Sequence, residues 1–288
     1  MGSKIFVTGA TGNVGREVVR CLVADGRQVI AAVMNQEDAA HLDAEVRPHV
    51  EARRFVFGEE TTYESALAGV DRLFLMRPPQ IADVKHKLFP VIDRARALGI
   101  EQIVFLSLLG VERNRLVPHY RVERYLRGGS VPFTFLRPSF YMQNLNTTHR
   151  AEIREDDEIC VPVGDAKTSF IDVRDIGAVA AKVLTEPGHE GQAYALTGGE
   201  SLDYYQVADL FTEVLGRRIT YADPSIFEFV RHSRARGVPW TFVLVMVGLY
   251  TATRMGTADR VTDTVSRLLG RPPISMGQYI ADYAEIWR

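Results

Sequence analysis

The sequence predicts an α/β protein: a doubly wound parallel sheet with a smaller, mostly helical carboxyl-terminal lobe. Three observations carry this expectation. Short apolar runs alternate with helical patterns as far as residue 137, the first run passes through three spaced glycines into an amphipathic pattern, and the alternation loosens after Pro138. Apolar strands separated by helices need cover on both faces, and a parallel sheet between two helical layers supplies it.

The first strand is Ile5-Phe6-Val7, followed by Gly9, Gly12 and Gly15 and then by apolar residues at Val14, Val18, Val19, Leu22 and Val23. That three-and-four spacing is one face of a helix. Gly9 suits the tight turn, Gly12 a close approach of backbone to a pyrophosphate, and Gly15 close packing of helix on strand. The helix's unpaired N–H groups then face the phosphates. The dinucleotide contacts expected here are Gly9, Thr11, Gly12, Asn13, Val14 and Gly15. Further strands are expected at 28–33, 53–57, 72–76, 102–107 and 133–137, with helices over 81–98 and 119–127. The cofactor should cross the carboxyl ends of those strands. Beyond Pro138, short strands at 158–163, 169–173 and 193–197 lie among helices. Residues 1–139 are expected to form the dinucleotide-binding domain, and residues 140–288 a substrate lobe whose segments interleave with it in one compact unit.

Composition narrows the function. The 288 residues are 46% hydrophobic and 24% charged, enough for a full core. With 34 basic against 36 acidic residues the net charge is −2, which gives no field for nucleic acid or an anionic membrane. Two cysteines, Cys21 and Cys160, make neither a disulfide framework nor a metal cluster and are expected as small core residues; no metal is expected. The chain enters a strand without a charged-then-apolar leader, so a cytoplasmic location is expected. The apolar run 240–250 is shorter than the roughly 20 residues of a spanning helix and is read as a buried or interface helix.

The opening Val7-Thr8-Gly9-Ala10-Thr11-Gly12-x-x-Gly15, the segments Ala68-Gly69-Val70-Asp71 and Phe105-Leu106-Ser107-Leu108-Leu109-Gly110, and the run from Phe135 to Asn144 resemble the NmrA-like, atypical short-chain dehydrogenases/reductases. Ser169-Phe170-Ile171-Asp172-Val173-Arg174-Asp175-Ile176 and Leu269-Gly270-Arg271-Pro272-Pro273 continue the likeness over nearly the whole chain. The resemblance implies a Rossmann fold binding NAD(P)H. It also implies either a reductase of quinones, dyes or other electron-poor substrates or a non-catalytic sensor of the nicotinamide redox state, and fold alone does not choose between them.

The Tyr-x3-Lys pair of typical short-chain dehydrogenases is missing: His119 stands at the lysine position and Arg115 at the tyrosine position. Tyr120-x3-Arg124 copies the spacing one residue out of register, but arginine does not release a proton near neutral pH. The resemblance to the quinone-reductase branch, with its His-x3-Glu pair, points instead to His119 and Glu123, one helical turn apart. A neutral His119 would bond the nicotinamide ribose, while Glu123 fixes its tautomer or meets a neighbouring residue. Ser107 matches the family's hydroxyl beside the nicotinamide. The catalytic candidates are therefore His119, Ser107 and Glu123.

The end of the second strand, Val33-Met34-Asn35, has Met34 where NADPH-using relatives often carry arginine, and Glu37 and Asp38 would repel a 2′-phosphate. Only Arg53, Arg54 or Arg77 would compensate, so the reading leans to NADH and leaves NADPH open. Met34, Asn35, Arg77, Pro78, Ser107, His119 and Pro138 complete the expected cofactor contacts; a structural turn is the alternative role for Arg77. Phe140, Tyr141 and Asn144 are expected to form a wall for the substrate, with His149 on a helix face. The helices of 225–255 suit an apolar substrate or a homodimer contact. The expected activity is an oxidoreductase moving hydride to or from an apolar, electron-poor carbonyl, quinone or imine-like compound. The alternatives are the redox sensor and a cofactor-retaining isomerase or cyclase.

Overall fold

A computed structural model describes residues 3–35 and 37–288. The chain divides into two units, residues 1–138 with 173–196, and residues 139–172 with 197–288.

The first unit is a seven-stranded parallel sheet. In chain order its strands are β1 (Lys4–Val7), β2 (Gln28–Val33), β3 (Val50–Arg54), β4 (Arg72–Met76), β5 (Gln102–Leu106), β6 (Phe133–Pro138) and, after three short strands of the second unit, β10 (Ala193–Leu196). Their spatial order is β10-β6-β5-β4-β1-β2-β3, so the winding reverses between β1 and β4. In such a sheet the crevice at that reversal, at the strands' carboxyl ends, is where a dinucleotide lies. The register sets Val7 beside Phe74, Met76 beside Leu106 and Leu106 beside Leu136. Residues just past β1, β4, β5 and β6 therefore share one edge. All five residues of β5 are buried, as expected of a strand covered on both faces.

One face carries α1 (Asn13–Ala24) and α6 (Val173–Thr185). They approach so closely that a Cβ on Gly177 would lie 2.6 Å from Glu17 Cβ. The other face carries α2 (Tyr63–Leu67), α3 (Val84–Lys87), α4 (Phe89–Ala97) and α5 (Pro118–Arg127), whose apolar residues join Phe6, Phe105 and Phe135 in one core. The single helix expected over 81–98 is broken at Leu88 because Pro90 has no N–H and enters at the start of α4. The third strand lies at 50–54, not 53–57: Phe55, 4% exposed, belongs to the core just beyond the strand, and its apolar signal shifted the expected boundary. The run 193–197, expected among the substrate-lobe strands, pairs with β6 as the seventh strand of the sheet.

The second unit is mostly helical: α7 (Tyr204–Leu215), α8 (Ile226–Ala235), α9 (Trp240–Arg254), α10 (Thr264–Leu269) and α11 (Met276–Asp282). Its strands are shorter than expected and form two parallel pairs, β7 (Phe140–Tyr141) with β9 (Phe170–Ile171) and β8 (Glu158–Ile159) with β11 (Thr220–Tyr221). Trp287, Tyr279, Phe211 and Phe229 are fully buried at its centre. In α9 only Val243, Met246, Tyr250 and Thr253 are buried, while Trp240, Phe242, Leu244, Val245 and Leu249 are exposed. Among the described residues no helix is long and apolar enough to cross a membrane.

Candidate functional site

The glycine loop is built as a cradle. Gly9 has φ +65°, a left-handed conformation that disfavours a side chain, and a Cβ there would run into Met76 Sδ. Gly15 has no room either, because its Cβ would overlap the carbonyl of Gly9. Gly12 differs from both: it has extended backbone, is exposed, and its Cβ would meet only Gly9 O at 3.3 Å. As the N-cap of α1 it offers no side-chain acceptor to the first-turn N–H groups, which in a helix start have no partner of their own. Thr11 is half-buried, Asn13 is exposed and Val14 is buried, so Val14 has only its backbone to offer a ligand. Thr8 ties the loop down: its hydroxyl donates to Phe74 O at 3.0 Å and accepts from Met76 N–H at 2.8 Å.

At the end of β2, Met34 is 62% exposed. Its N–H donates to the Asp38 carboxylate at 3.2 Å, and Asn35 Oδ1 accepts from Asp38 N–H at 2.9 Å. An acid thus sits on the turn after β2. The three arginines that would compensate a 2′-phosphate are already engaged. Arg53 bonds Glu51 and the carbonyls of Ala66 and Ala68, Arg54 bonds both oxygens of Glu59, and Arg77 bonds the carbonyls of Pro78, Pro79 and Ile81.

Ser107 follows β5, where its N–H donates to Leu136 O at 2.7 Å. It is 3% exposed, and its hydroxyl is buried with no hydrogen-bond partner among the described residues. His119, in the first turn of α5, lies 6.0 Å from Phe105 between ring centroids and takes Arg77 Nε at 3.4 Å on its Nε2. Burial, and then the charge of Arg77, pull its imidazole down to about 3, so it is neutral at physiological pH. Its Nδ1 is buried and unpartnered among the described residues. Two buried polar atoms at the carboxyl edge thus await an acceptor or donor, a rare state for atoms removed from water.

Glu123 does not bond His119. Its oxygens accept from Arg137 at 2.9 and 2.6 Å, and Arg127 lies 3.6 Å away. Of the two fates open to it, this is the neighbouring residue: Arg137, projecting from β6, claims the carboxylate. Arg137, which also meets Glu112, is the neighbour that sequence reasoning missed, and its only signal was a charged residue inside an otherwise apolar strand. Pro138 is buried at the end of β6, and its carbonyl accepts Leu109 N–H.

Phe140, Tyr141 and Asn144 belong to the second unit and are half-buried, Phe140 against that unit's core. Burial pushes the Tyr141 phenol up, so it stays protonated at neutral pH. His149 is not a helix-face residue: it is 2% exposed and bridges Glu152 at 3.0 Å and Tyr250 at 2.7 Å. Cys160 is buried and Cys21 only half so.

The glycine cradle, the winding reversal and the unpartnered donors together describe a dinucleotide site, and the NmrA-like family profile matches residues 1–257. The chain belongs to the NmrA-like family. It is 31% identical to the NAD(P)H azoreductase of Xenophilus azovorans, covering 97% of this chain and 98% of the relative. Among solved structures it resembles the NADPH-dependent quinone oxidoreductase of Escherichia coli complexed with NADPH (TM-score 0.87, 27% identity, 97% of this chain and 99% of that one). The triphenylmethane reductase of Citrobacter sp. complexed with NADP(H) is similar too (TM-score 0.87, 26% identity, 96% and 99%). The nicotinamide dinucleotide implied by the NmrA-like family fits the residues present. Gly12 keeps a Cβ out of the cradle, the first turn of α1 is uncapped, and Ser107 Oγ and His119 Nδ1 have no protein partner among the described residues.

Proposed function

We propose that this protein is an NAD(P)H-dependent oxidoreductase acting on an apolar, electron-poor carbonyl, quinone or imine-like substrate. The observation that carries this reading is the pair of buried, unpartnered polar atoms, Ser107 Oγ and His119 Nδ1, on the carboxyl edge that also bears the glycine cradle. When bound, the dinucleotide supplies the hydride. The backbone N–H groups at the start of α1 hold its diphosphate, Ser107 offers a hydroxyl on the carboxyl edge, and His119 hydrogen-bonds its ribose as a neutral ring. An electron-poor acceptor held against the cofactor needs little acid catalysis, since orientation alone supplies several kcal/mol. The azoreductase, quinone and dye reductases among the relatives support this class of substrate.

NADH is the preferred cofactor in this reading. The turn after β2 presents Met34 and the Asp38 carboxylate, and Arg53, Arg54 and Arg77 are each engaged elsewhere, so a 2′-phosphate meets an acid and no free arginine among the described residues there. The test is oxidation of NADH and of NADPH by the purified protein against a panel of quinones, azo dyes and conjugated carbonyls. Turnover with at least one acceptor, faster with NADH, is expected. No oxidation above buffer across the panel would remove the reductase reading, and a preference for NADPH would remove the cofactor assignment.

A further inference from the structure

The geometry points to Arg77 as a positioning residue that fixes His119 in a single tautomer, with the proton on Nδ1, so that the ring presents a fixed N–H donor to the bound ligand. This deepens the oxidoreductase reading and rests on it for its catalytic meaning. It does not rest on that reading for its structural content.

Arg77 is held before it reaches the histidine. Its Nη1 donates to three carbonyls of the following loop, Pro78 and Pro79 at 3.0 Å and Ile81 at 2.7 Å, which pins the guanidinium and aims Nε–H at His119 Nε2, 3.4 Å away. A guanidinium has five N–H donors and no lone pair. Whatever accepts from it must bring its own lone pair, so Nε2 is the unprotonated nitrogen and the ring's one proton is on Nδ1. A second proton would place an imidazolium beside the arginine in a buried site, and burial and that neighbouring charge both oppose it. Nδ1–H is thus a committed donor, buried and without a protein acceptor among the described residues, and Phe105 at 6.0 Å flanks the ring.

The chemical consequence is a division of labour. A neutral imidazole N–H is far too weak an acid to give up its proton, so His119 orients and polarises an oxygen of the ligand without protonating it. Glu123, held by Arg137, is not available to set the tautomer, and Arg77 takes the part that a carboxylate commonly plays from the other ring nitrogen. Arginine suits this because it stays charged across the working pH range.

The experiment is nitrogen-15 NMR of histidine-labelled protein, unliganded and with NADH, with Arg77→Met and Arg77→Lys beside the wild type. In the wild type, His119 is expected as the neutral Nδ1–H form with no titration between about pH 5 and 9. In Arg77→Met the Nδ1–H preference is lost while burial still keeps the ring neutral, and kcat/KM falls about tenfold or more, as expected when a histidine takes the wrong tautomer. Arg77→Lys, whose ammonium also lacks a lone pair, restores the tautomer. An Nε2–H or a charged ring in the wild type overturns the inference, and so does an unchanged tautomer in Arg77→Met. The wild-type spectrum decides even if the methionine variant fails to fold. Failure of the oxidoreductase reading is separate: it would appear as a correct tautomer in a protein that turns nothing over.

Discussion

At Gly9, Gly12 and Gly15 the same residue type answers three different physical demands. Gly9 and Gly15 are required by the fold, the first by its positive φ and Met76, the second by the carbonyl of Gly9. Gly12 is required by neither, because its backbone is extended and its Cβ would meet a single atom at 3.3 Å. The two kinds of glycine separate by measurement. Gly12→Val is expected to weaken dinucleotide binding at least tenfold, about 1.4 kcal/mol, while the apo melting temperature stays within a few degrees. Gly15→Ala is expected to destabilise by about 1–3 kcal/mol as an overpacked contact. Calorimetric titration beside melting curves checks both: unchanged affinity in Gly12→Val removes the loop from the cofactor site, and an unperturbed melt in Gly15→Ala removes the packing argument.

At the scale of elements, the second unit is tied together by a buried polar network that no local pattern announces. His149 precedes a π-helical turn, Glu152–Asp156, and joins it to α9 through Tyr250, while His232 of α8 lies 3.4 Å from the other oxygen of Glu152. Since a carboxylate only accepts, the bond to Glu152 runs from His149 Nδ1–H, while Nε2 meets the Tyr250 hydroxyl. Burial pushes the Glu152 carboxyl up, but the hydrogen bond from His149, the charges of His149 and His232 and the N–H of Cys160 outweigh it and hold the carboxyl below its usual 4.5. A depressed folded pKa means that the unfolded chain takes up the proton first. The stabilisation is therefore complete above pH 4.5 and is lost as pH falls through the lower folded value. Glu152→Gln should lower stability at pH 7 by about 1–3 kcal/mol and flatten the fall of melting temperature below pH 4.5. A variant melting in parallel with the wild type from pH 7 to 3 would contradict the network's role. The contrast with the first unit shows what a sequence makes legible. The bounds of β2 and β4 follow from compact apolar runs, and the helical spacing of His119 and Glu123 is visible because it is local. The partner of Glu123 comes from strand β6, and Tyr250, one of the two partners of His149, lies 101 residues away, so neither pairing leaves a periodic trace. At β3 the strand itself is half-exposed, and the buried Phe55 drew the expected boundary past its end.

At the scale of the whole molecule, the chain passes between its two units three times, after residues 138, 172 and 196, so neither unit other than in fragments is a contiguous stretch of sequence. The first unit is completed only by the segment that returns to it. β10 pairs along β6 from Ala193 with Phe135 to Leu196 with Pro138, and Gly191 and Gln192 add bonds to Phe133 and Phe135. α6 buries Val173, Ile176, Val179, Ala180, Val183 and Leu184, and its close contact at Gly177 and Glu17 helps to cover α1. A protein ending at residue 138 would leave the face of α1 that packs on α6 in water and turn β6 from an inner strand into an open edge, a combination that favours association over folding. The stability of a domain is only about 5–15 kcal/mol. Exposing several fully buried aliphatic side chains at about 1.5–3 kcal/mol each exceeds that margin. A fragment of residues 1–138 is therefore expected to show no cooperative thermal transition and no dinucleotide binding, although it contains the whole glycine cradle. A fragment in which 173–196 is joined to residue 138 by a flexible linker should regain both. Circular dichroism melts and calorimetric titration of the two decide it, and a cooperative melt in the shorter fragment would show that β10 and α6 are dispensable to the sheet.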